Sequence, residues 1–348
     1  MTQPAPGPAP RLAIVIVNYR TADLAIACVE ALAAERERVG AFDVIIVDGN
    51  SGDGSAEKLT ARFAQAPWSD WVRILPLDFN GGFGWANNQA MLRLLQRETP
   101  PEYIHLLNPD CEIEPGAVEA LLAVIERDPG IGAVASQLLE PDGRIAGSAF
   151  RFPSPGREFV RGVGLGGVGE RIGIKPSVVE RRDAGPAEWI TGASVMFRSA
   201  ALRQTGLFDD GFFLYFEEVE LMHRMTRAGW ALWTVPASRV MHIGGASTGV
   251  ASGAQVQRPH PPYRYDSRRR YFVRANGVMG LALANLAWLA GKVVGWPLRL
   301  LRGKGDAGVP REFSMTIRLC FGARREDLHP SIPQWDEPPG RMPAWSVK

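Results

Sequence analysis

Cysteine is scarce in this chain, and neither sign of charge is in large excess. The three cysteines, Cys28, Cys111 and Cys320, have neither paired spacing nor histidine neighbours, which argues against a disulfide framework or a zinc site and suits a reducing compartment. The chain has 39 basic and 37 acidic residues, which leave a formal charge of +2. This balance lacks the basic excess of nucleic-acid binders, so we expect no nucleic-acid partner.

Targeting signals and long apolar runs are also missing. Residues 1–10, MTQPAPGPAP, have neither a charged start nor an apolar run, so they predict a disordered tail and not a secretory signal. No stretch reaches the roughly 18 to 20 uninterrupted apolar residues that span a bilayer, and the nearest, residues 278–291, ends at Lys292. With 348 residues, 46% of them hydrophobic, the chain predicts one large globular domain plus an appendage.

Short apolar runs alternate with helix-period stretches in the first half of the chain. The runs at 12–17, 44–48, 73–77 and 103–107 predict strands. The intervening stretches predict helices over about 21–39, 55–65, 84–97 and 115–127. This order is typical of an α/β protein with a doubly wound, mostly parallel sheet, whose ligands bind beyond the carboxyl ends of the strands.

Polar or glycine-rich segments follow each predicted strand, and together they predict a nucleotide site. The segments are Asn18-Tyr19-Arg20, Asp48-Gly49-Asn50-Ser51, Asn80-Gly81-Gly82-Phe83 and Asn108-Pro109-Asp110. The carboxylate of Asp48 can accept a hydrogen bond from the imide N–H of uracil or thymine, although an Asx turn or helix cap explains it equally well. Asp110 is a candidate ligand for Mg²⁺ or Mn²⁺ that neutralises a diphosphate, and its alternative is a turn residue.

An acidic helix start follows the turn at 209–211, in FFLYFEEVEL. Helical spacing places Glu218 on one face with Leu221, Met222 and Met225, so its carboxylate points toward the apolar side. Burial raises the pKa of such a group while the helix N-terminus lowers it, which is typical of a general base. A capping role is the alternative. The opposite flank, with Glu217 and Glu220, is expected to be solvated and to pair with Arg224.

A single histidine, His242, lies before two glycines in RVMHIGGAST and can reach a metal ion without steric hindrance. A structural role is its alternative. His105 and His223 are assigned to packing or solvent, and His260 and His329 lie beside prolines and indicate nothing.

Two segments lack a clear periodic pattern. Residues 143–186, rich in Gly, Arg and Pro, predict a mobile loop over the site, with regular structure resuming at Trp189. Beyond His242 the chain is again loop-like until Tyr263. The basic, aromatic YRYDSRRRYFVR then leads into a nearly all-apolar stretch, which predicts a helix lying on a membrane surface; a buried C-terminal helix is the alternative. The expected domains are residues 11–250 and a helical region over 251–348.

Taken in order, seven segments resemble the family 2 glycosyltransferases of the GT-A fold, and in particular their rhamnosyltransferase-like branch. They lie between residues 14 and 247 and read IVIVNYR, VDGNSGDGS, NGGFGWANNQA, LLNPD, WITGASVMFRSAAL, GLFDDGFFLYFEEVEL and HIGGAS. The resemblance implies a GT-A sheet with a helical C-terminal appendage.

The resemblance also implies roles for individual residues. Glu218 would be the catalytic base, and Asp110 and His242 would hold the metal, Mg²⁺ or Mn²⁺. The nucleotide would be bound by Asn18, Tyr19, Arg20, Asp48, Asn50, Gly82, Phe83, Asn87 and Asn108. The donor and acceptor pocket would be lined by Trp189, Thr191, Gly192 and Glu217.

This sequence departs from the family pattern at three places. Gly49 follows Asp48 where the family has Asn, and Asn108 stands where the metal motif has Asp. Glu218 and Glu220 replace two aspartates, and the extra methylene displaces the carboxylate of the base by roughly an ångström.

The expected activity is inverting transfer of a sugar onto a glycan or polyprenyl-linked acceptor in cell-surface polysaccharide synthesis. Branch resemblance favours L-rhamnose from dTDP-rhamnose, with the enzyme peripheral on the inner face of the plasma membrane. A sugar nucleotidyltransferase and a non-catalytic binding relic are the alternatives. A dinucleotide-dependent oxidoreductase is rejected, because NYR and not G-x-G-x-x-G follows the first strand.

Overall fold

The computed structural model describes residues 10–165, 167–244, 259–301 and 309–346. Its strands are β1 Leu12–Asn18, β2 Asp43–Asp48, β3 Val72–Pro76, β4 Tyr103–Leu107, β5 Cys111–Ile113, β6 Ile131–Leu139, β7 Ala149–Phe150, β8 Gly185–Ala187, β9 Trp189–Ile190, β10 Ser194–Arg198 and β11 Ala231–His242. Its helices are α1 Ala22–Val39, α2 Ser55–Phe63, α3 Phe83–Leu95, α4 Ala117–Ile125, α5 Pro155–Val163, α6 Val168–Arg171, α7 Ser199–Thr205, α8 Glu217–Arg227, α9 Pro262–Leu301, α10 Glu312–Cys320 and α11 Arg325–Leu328.

One large sheet organises the fold, in the order β3-β2-β1-β4-β10-β6-β11-β5, with β8 beside β11. The first four strands are parallel, as predicted. Strand β10 runs antiparallel between β4 and β6, and β5 runs antiparallel to β11, so the second half of the sheet is mixed. The four predicted strands and four predicted helices of the first half are confirmed, with boundaries shifted by at most two residues.

Both faces of this sheet are buried, which explains the uninterrupted apolar run of β1. Leu12, Ile14 and Ile16 pack on the face covered by α1, α2 and α4, while Ala13 and Val15 pack on the face covered by α3, α7 and α8. Alternate side chains of a strand point to opposite faces, so a strand covered on both sides needs apolar residues at every position.

The segment predicted to be a mobile loop, residues 143–186, instead contains helices α5 and α6, so that prediction is wrong. Helix α5 packs against α9 with backbone in contact with backbone. A Cβ at Gly291 would lie 2.1 Å from the carbonyl oxygen of Phe159, and one at Gly295 would lie 2.3 Å from that of Val163. The Gly-x-x-x-Gly spacing on α9 therefore permits the close crossing that fixes α5.

Three consecutive arginines near the start of α9 are buried, and each binds a different carboxylate. Arg268 donates to Glu158 of α5, Arg269 to Asp327 of α11, and Arg270 to Asp209 in the turn before α8, each at 2.7 Å. The interpretation of this basic segment as a lead-in to a membrane surface is therefore wrong. A helix turns about 100° per residue, so three successive side chains reach three different elements.

The residues after α11 pack against earlier parts of the chain. The Trp345 indole N–H donates to the Asp210 carbonyl at 2.9 Å, and the Trp85 indole N–H donates to the Arg341 carbonyl at 2.8 Å. The described C-terminal residues thus pack on the main domain. The predicted boundary at 250 and the predicted tail before residue 10 lie outside the described residues.

Helix α9 has a glycine kink, and its second half is apolar. Gly277 has φ 72° within the helix. By length and composition α9 could cross a membrane, with a mean hydropathy of 1.5 over its most apolar 18 residues. Exposed apolar side chains on this half are Val278, Met279, Leu283, Leu286, Val293, Val294, Trp296, Leu298, Leu300 and Leu301.

Replacing Arg270 by Met should lower the free energy of unfolding by about 3 kcal/mol or more, because it leaves the Asp209 carboxylate buried without its main partner. Urea unfolding followed by tryptophan fluorescence measures this change. Arg144→Met is the matched control, since Arg144 pairs with Asp142 on the exposed surface and its loss should not move the midpoint. Equal midpoints for both variants would contradict an anchoring role for Arg270.

Candidate active site

The ends of β1 and β2 are joined by a buried hydrogen-bond cluster. The Asn18 amide donates to Asp48 Oδ1 at 2.7 Å, and the Ser51 hydroxyl donates to the same oxygen at 2.6 Å. The Ser51 backbone N–H donates to Asp48 Oδ2 at 3.0 Å, so the Asx-turn alternative for Asp48 is realised. Parallel pairing in register, with Asn18 opposite Asp48, brings the two side chains together. The nucleotide roles of Asn18 and Asp48 stay predictions.

Three predicted nucleotide contacts surround this cluster nearer the surface. The Arg20 guanidinium lies 5.1 Å from the centre of the Tyr19 ring and donates to the Ser51 carbonyl. The Asn50 amide donates to the Asp78 carbonyl at 3.1 Å. Tyr19 is partly exposed, and Arg20 and Asn50 are exposed, so all three remain accessible to a ligand.

The predicted nucleotide-binding residues at and near the start of α3 make contacts within the protein itself. A Cβ at Gly82, whose φ is 86°, would lie 1.8 Å from the Phe213 carbonyl oxygen, and the Phe83 N–H donates to that oxygen at 3.1 Å. Gly82 is therefore required by the loop before α8. Asn87 is buried, and its amide donates to the Phe83 carbonyl of its own helix, so its side chain lies in the interior.

The two predicted metal ligands lie together. Strand β5 pairs antiparallel with β11, with Cys111 opposite His242, which brings His242 Nε2 to 3.3 Å from Asp110 Oδ1. The Asn108 amide nitrogen lies 3.5 Å from the same imidazole nitrogen. Burial alone would raise the pKa of the Asp110 carboxyl, but the hydrogen bond and charge of His242 outweigh it and lower that pKa.

These donors fit a hard divalent cation. Asp110 supplies carboxylate oxygens and His242 supplies an imidazole, and Asn108 Oδ1 is buried with no hydrogen-bond partner among the described residues. Cys111 is the third member of the cluster, but its Sγ lies 3.5 Å from the Ala193 carbonyl oxygen and burial raises its thiol pKa well above the usual range. The neutral, soft thiol is a poor ligand for Mg²⁺ or Mn²⁺.

The acidic start of α8 is more buried than its periodicity predicts. Glu217 and Glu220 are each 3% exposed, so the prediction that this flank is solvated is wrong. The pairing of Glu220 with Arg224, at 2.9 Å, is confirmed. Both flanks are covered because α8 packs against α7 on one side and α9 on another.

Glu218 is half-buried and lies against Gly192, one of the residues predicted to line the donor and acceptor pocket. A Cβ at Gly192 would lie 3.5 Å from Glu218 Cβ, so the absence of a side chain at Gly192 leaves room for the longer glutamate. Burial raises the pKa of Glu218, and the nearby Arg264 guanidinium partly offsets this. Its Oε2 has no hydrogen-bond partner among the described residues, which leaves that oxygen free to accept a proton.

Two consecutive residues, Gly192 and Ala193, connect Glu218, the candidate base, to the end of β4, where the predicted metal site begins. Gly192 lies against Glu218, and the carbonyl of the next residue, Ala193, accepts from the Asn108 N–H at 2.8 Å. The two residues just before β10 therefore lie between the start of α8 and the residue that follows β4. Sequence spacing could not show this proximity, because Asn108 and Glu218 are separated by more than a hundred residues.

Beside Glu218 lies a cavity of about 810 Å³. Its wall includes Trp189, which stacks on Phe150 with ring centres 4.2 Å apart and donates to the Arg151 carbonyl at 3.1 Å. Thr191 is nearly buried, and its hydroxyl accepts from the Ala193 N–H. Three further residues line the cavity and were not predicted from the sequence: Arg157, Tyr215 and Arg264. For the two arginines, the available signal was a cation near the start of a helix.

This architecture is that of the GT-A glycosyltransferases. One half of the sheet is parallel and has polar residues at its strand ends, and the other half is mixed and adjoins the acidic start of a helix. The mannosyltransferase PcManGT from Pyrobaculum calidifontis, solved with GDP-Man and Mn²⁺, shares it with a TM-score of 0.51 and 14% identity, over 92% of this chain and 83% of that one. GalNAc-T7, solved with UDP, GalNAc and Mn²⁺, gives 0.53 and 15% over 75% of this chain and 47% of that one. The predicted fold class is confirmed.

The sequence comparisons give the family. A family model described as glycosyl transferase family 2 matches residues 13–153. The N-acetylglucosaminyl-diphospho-decaprenol L-rhamnosyltransferase of Mycobacterium tuberculosis is 30% identical over 238 residues, which cover 66% of this chain and 74% of that one. The hexosyltransferase Agl10 of Haloferax volcanii is 23% identical over 217 residues, 62% of each chain. This chain belongs to glycosyl transferase family 2, and it is a glycosyltransferase.

Replacing Asp110 by Asn, or His242 by Gln, should each weaken Mn²⁺ binding in the presence of dTDP by about tenfold or more, because each change replaces a predicted ligand with a neutral amide that binds the ion more weakly. The electron paramagnetic resonance signal of free Mn²⁺ measures the affinity. Cys111→Ala is the control and should bind Mn²⁺ as the wild type does. A comparable loss in the Cys111 variant would place the sulfur among the ligands, and full binding by the Asp110 variant would remove that residue.

Proposed function

We propose that this glycosyltransferase transfers L-rhamnose from dTDP-rhamnose to an N-acetylglucosaminyl-diphospho-polyprenol acceptor, with inversion at the anomeric carbon. The similarity to the mycobacterial L-rhamnosyltransferase supports both the sugar and the lipid-linked acceptor. The observation that carries the reaction is the connection through Gly192 and Ala193, which joins a half-buried carboxylate to the end of β4 where Asp110 and His242 meet.

Glu218 acts as the general base. Its carboxylate takes the proton of an acceptor hydroxyl, whose oxygen attacks the anomeric carbon as the bond from that carbon to the donor diphosphate breaks. The pKa of Glu218, raised by burial, makes the carboxylate a stronger base than a solvated glutamate. Asp110 and His242 would hold a divalent cation, Mn²⁺ or Mg²⁺, whose positive charge would stabilise the diphosphate as it departs.

Nucleotide recognition falls to the residues around the ends of β1 and β2. The partly exposed Tyr19 and the exposed Arg20 offer an aromatic face and a cation, and the Asn18–Asp48 cluster holds Arg20 in place through Ser51. Arg20 and Asn50 have φ values of 59° and 58°, so the turns that present them adopt an uncommon backbone conformation. That conformation is stabilised by hydrogen bonds from both residues to neighbouring carbonyls.

The enzyme works at the cytoplasmic membrane surface, where a polyprenyl-linked acceptor resides. The exposed apolar side chains of α9 support this location, as do Phe313 and Ile317, which are exposed on the adjacent α10. Contiguous exposed apolar surface of this kind favours insertion into the boundary between headgroups and acyl chains. Lys292 and Arg299 lie on the same helix and face the protein interior, which favours surface attachment over a membrane span.

The donor and acceptor are tested together with the purified protein, Mn²⁺ and a synthetic N-acetylglucosaminyl-diphospho-polyprenol in detergent. Among dTDP-rhamnose, UDP-glucose, UDP-GlcNAc and GDP-mannose, we expect dTDP-rhamnose to have the highest kcat/KM, by about tenfold or more. Chromatography of the lipid product and release of dTDP report the reaction. Preference for another donor would overturn the sugar assignment, and consumption of dTTP with a sugar phosphate would indicate a nucleotidyltransferase.

Glu218→Gln should lower kcat for transfer by about a thousandfold, because the amide cannot accept the proton. Donor binding, measured by calorimetry with dTDP, should stay close to that of the wild type. Glu220→Gln is the matched control on the same helix: it loses a bond to Arg224 and some stability, but we expect it to keep its turnover. Substantial turnover by Glu218→Gln would exclude this residue as the base.

A further inference from the structure

The cavity beside Glu218 has an unbalanced charge. Its walls come from α5, α6, the segment before β8, the start of α8, α9 and α10, and eight of the lining side chains are cations while four are carboxylates. Two of those carboxylates are already shared: Glu158 binds Arg161 and Arg268, while Glu312 binds Arg161 and Lys292. The cavity therefore carries a net positive charge after its internal ion pairs form.

Four of the cations have no carboxylate within ion-pair distance in the part of the chain that the structure describes. One of them, Arg151, donates to the Pro176 carbonyl at 2.7 Å, and the other three are Arg157, Lys175 and Arg264. Arg157 donates to the Phe152 carbonyl at 2.7 Å, but its Nε is buried with no partner among the described residues. Arg264 lies over the Tyr215 ring, 4.7 Å from its centre. Arg157 and Arg264 are therefore held in place by neutral contacts, which leave their charge available.

Two of these cations also occupy the starts of helices. Arg157 is the third residue of α5 and Arg264 is the third residue of α9, where the helix dipole already places positive charge. A cation at a helix start is unfavourable unless an anion lies near both. The two helix starts and the three cations line one cavity, so they favour a ligand with more than one negative charge.

The remaining walls indicate what that anion is attached to. Glu218 and Trp189 line the same cavity, so a sugar can lie at the base while its anionic group lies toward the two helix starts. Helix α9 forms part of the wall and carries exposed apolar side chains along its second half. At about 810 Å³ the cavity can hold a sugar and a diphosphate.

We infer that Arg157, Lys175 and Arg264 bind the diphosphate of a polyprenyl-diphosphate-linked acceptor, with its sugar at Glu218 and its isoprenoid chain along the exposed apolar face of α9. This inference rests on the proposed function insofar as the acceptor is lipid-linked. A phospholipid headgroup shares the phosphate chemistry, but the position of Glu218 in the cavity wall favours the acceptor.

Direct binding tests the inference without turnover. Farnesyl diphosphate is titrated into the full-length protein in EDTA, so that no metal bound near Asp110 contributes. Arg157→Gln with Arg264→Gln should weaken binding by about tenfold or more, through loss of charge-assisted hydrogen bonds. Arg171→Gln, an exposed cation on α6 outside the cavity, is the control and should bind as the wild type does. Unchanged binding by the double variant would overturn the assignment.

Two further measurements separate the possible ligands. With phosphatidylglycerol vesicles that contain no acceptor, the double variant should sediment as the wild type does; loss of vesicle binding with intact farnesyl diphosphate binding would assign the cations to headgroups and overturn the inference. With the synthetic acceptor, the double variant should raise the acceptor KM by about tenfold, with the donor KM little changed. An unfolding temperature equal to that of the wild type excludes misfolding as the cause.

The outcomes also separate this inference from the proposed function. If the wild type transfers rhamnose but the double variant keeps its acceptor KM, the inference fails and the proposed function stands. If the wild type transfers no sugar to the diphosphate lipid but binds farnesyl diphosphate through Arg157 and Arg264, the proposed acceptor fails and the anion site stands.

Discussion

The buried arginines 268–270 are the interaction on which the rest of the molecule depends. They attach α9 to α5, to α11 and to the turn that precedes α8. Of these elements, α5 lines the cavity and the turn leads into the acidic helix start. A guanidinium buried with its carboxylate is costly to separate, so the three contacts fix the position of α9 more firmly than apolar packing alone would. Helix α9 in turn completes the pocket beside Glu218.

The site is assembled by strand pairing between distant parts of the chain. Asp110 and His242 meet because β5 and β11 pair, and Glu218 lies against Gly192, two residues before β10, which pairs with β4. Each functional side chain thus sits at the edge of a rigid sheet or at a helix start, where a small backbone shift would be resisted by many hydrogen bonds. Such rigidity suits the inverting transfer that we propose, since the attacking oxygen would have to approach the anomeric carbon along one line.

The periodicity of the sequence was sufficient to predict structure where a single strand or helix determines it. The four parallel strands, their helices and the polar strand ends follow from periodicity, and the family resemblance correctly gave the fold and the enzyme class. Prediction failed where burial depends on a partner from elsewhere: Glu217 and Glu220 look solvated on an isolated helix, and arginines 268–270 look like a membrane-facing basic segment. Helix α5 was missed because its two glycines hide the period, although Gly162 is required by its contact with α9.

The glycine contacts between α5 and α9 have a consequence for divergence within the family. Because main chain touches main chain at Gly291 and Gly295, the spacing of the two helices is set by peptide groups and is insensitive to the choice of most side chains around it. Relatives that keep these small residues would inherit a cleft of constant width. New acceptor preferences would then arise by exchanging residues on the walls, without rebuilding the scaffold.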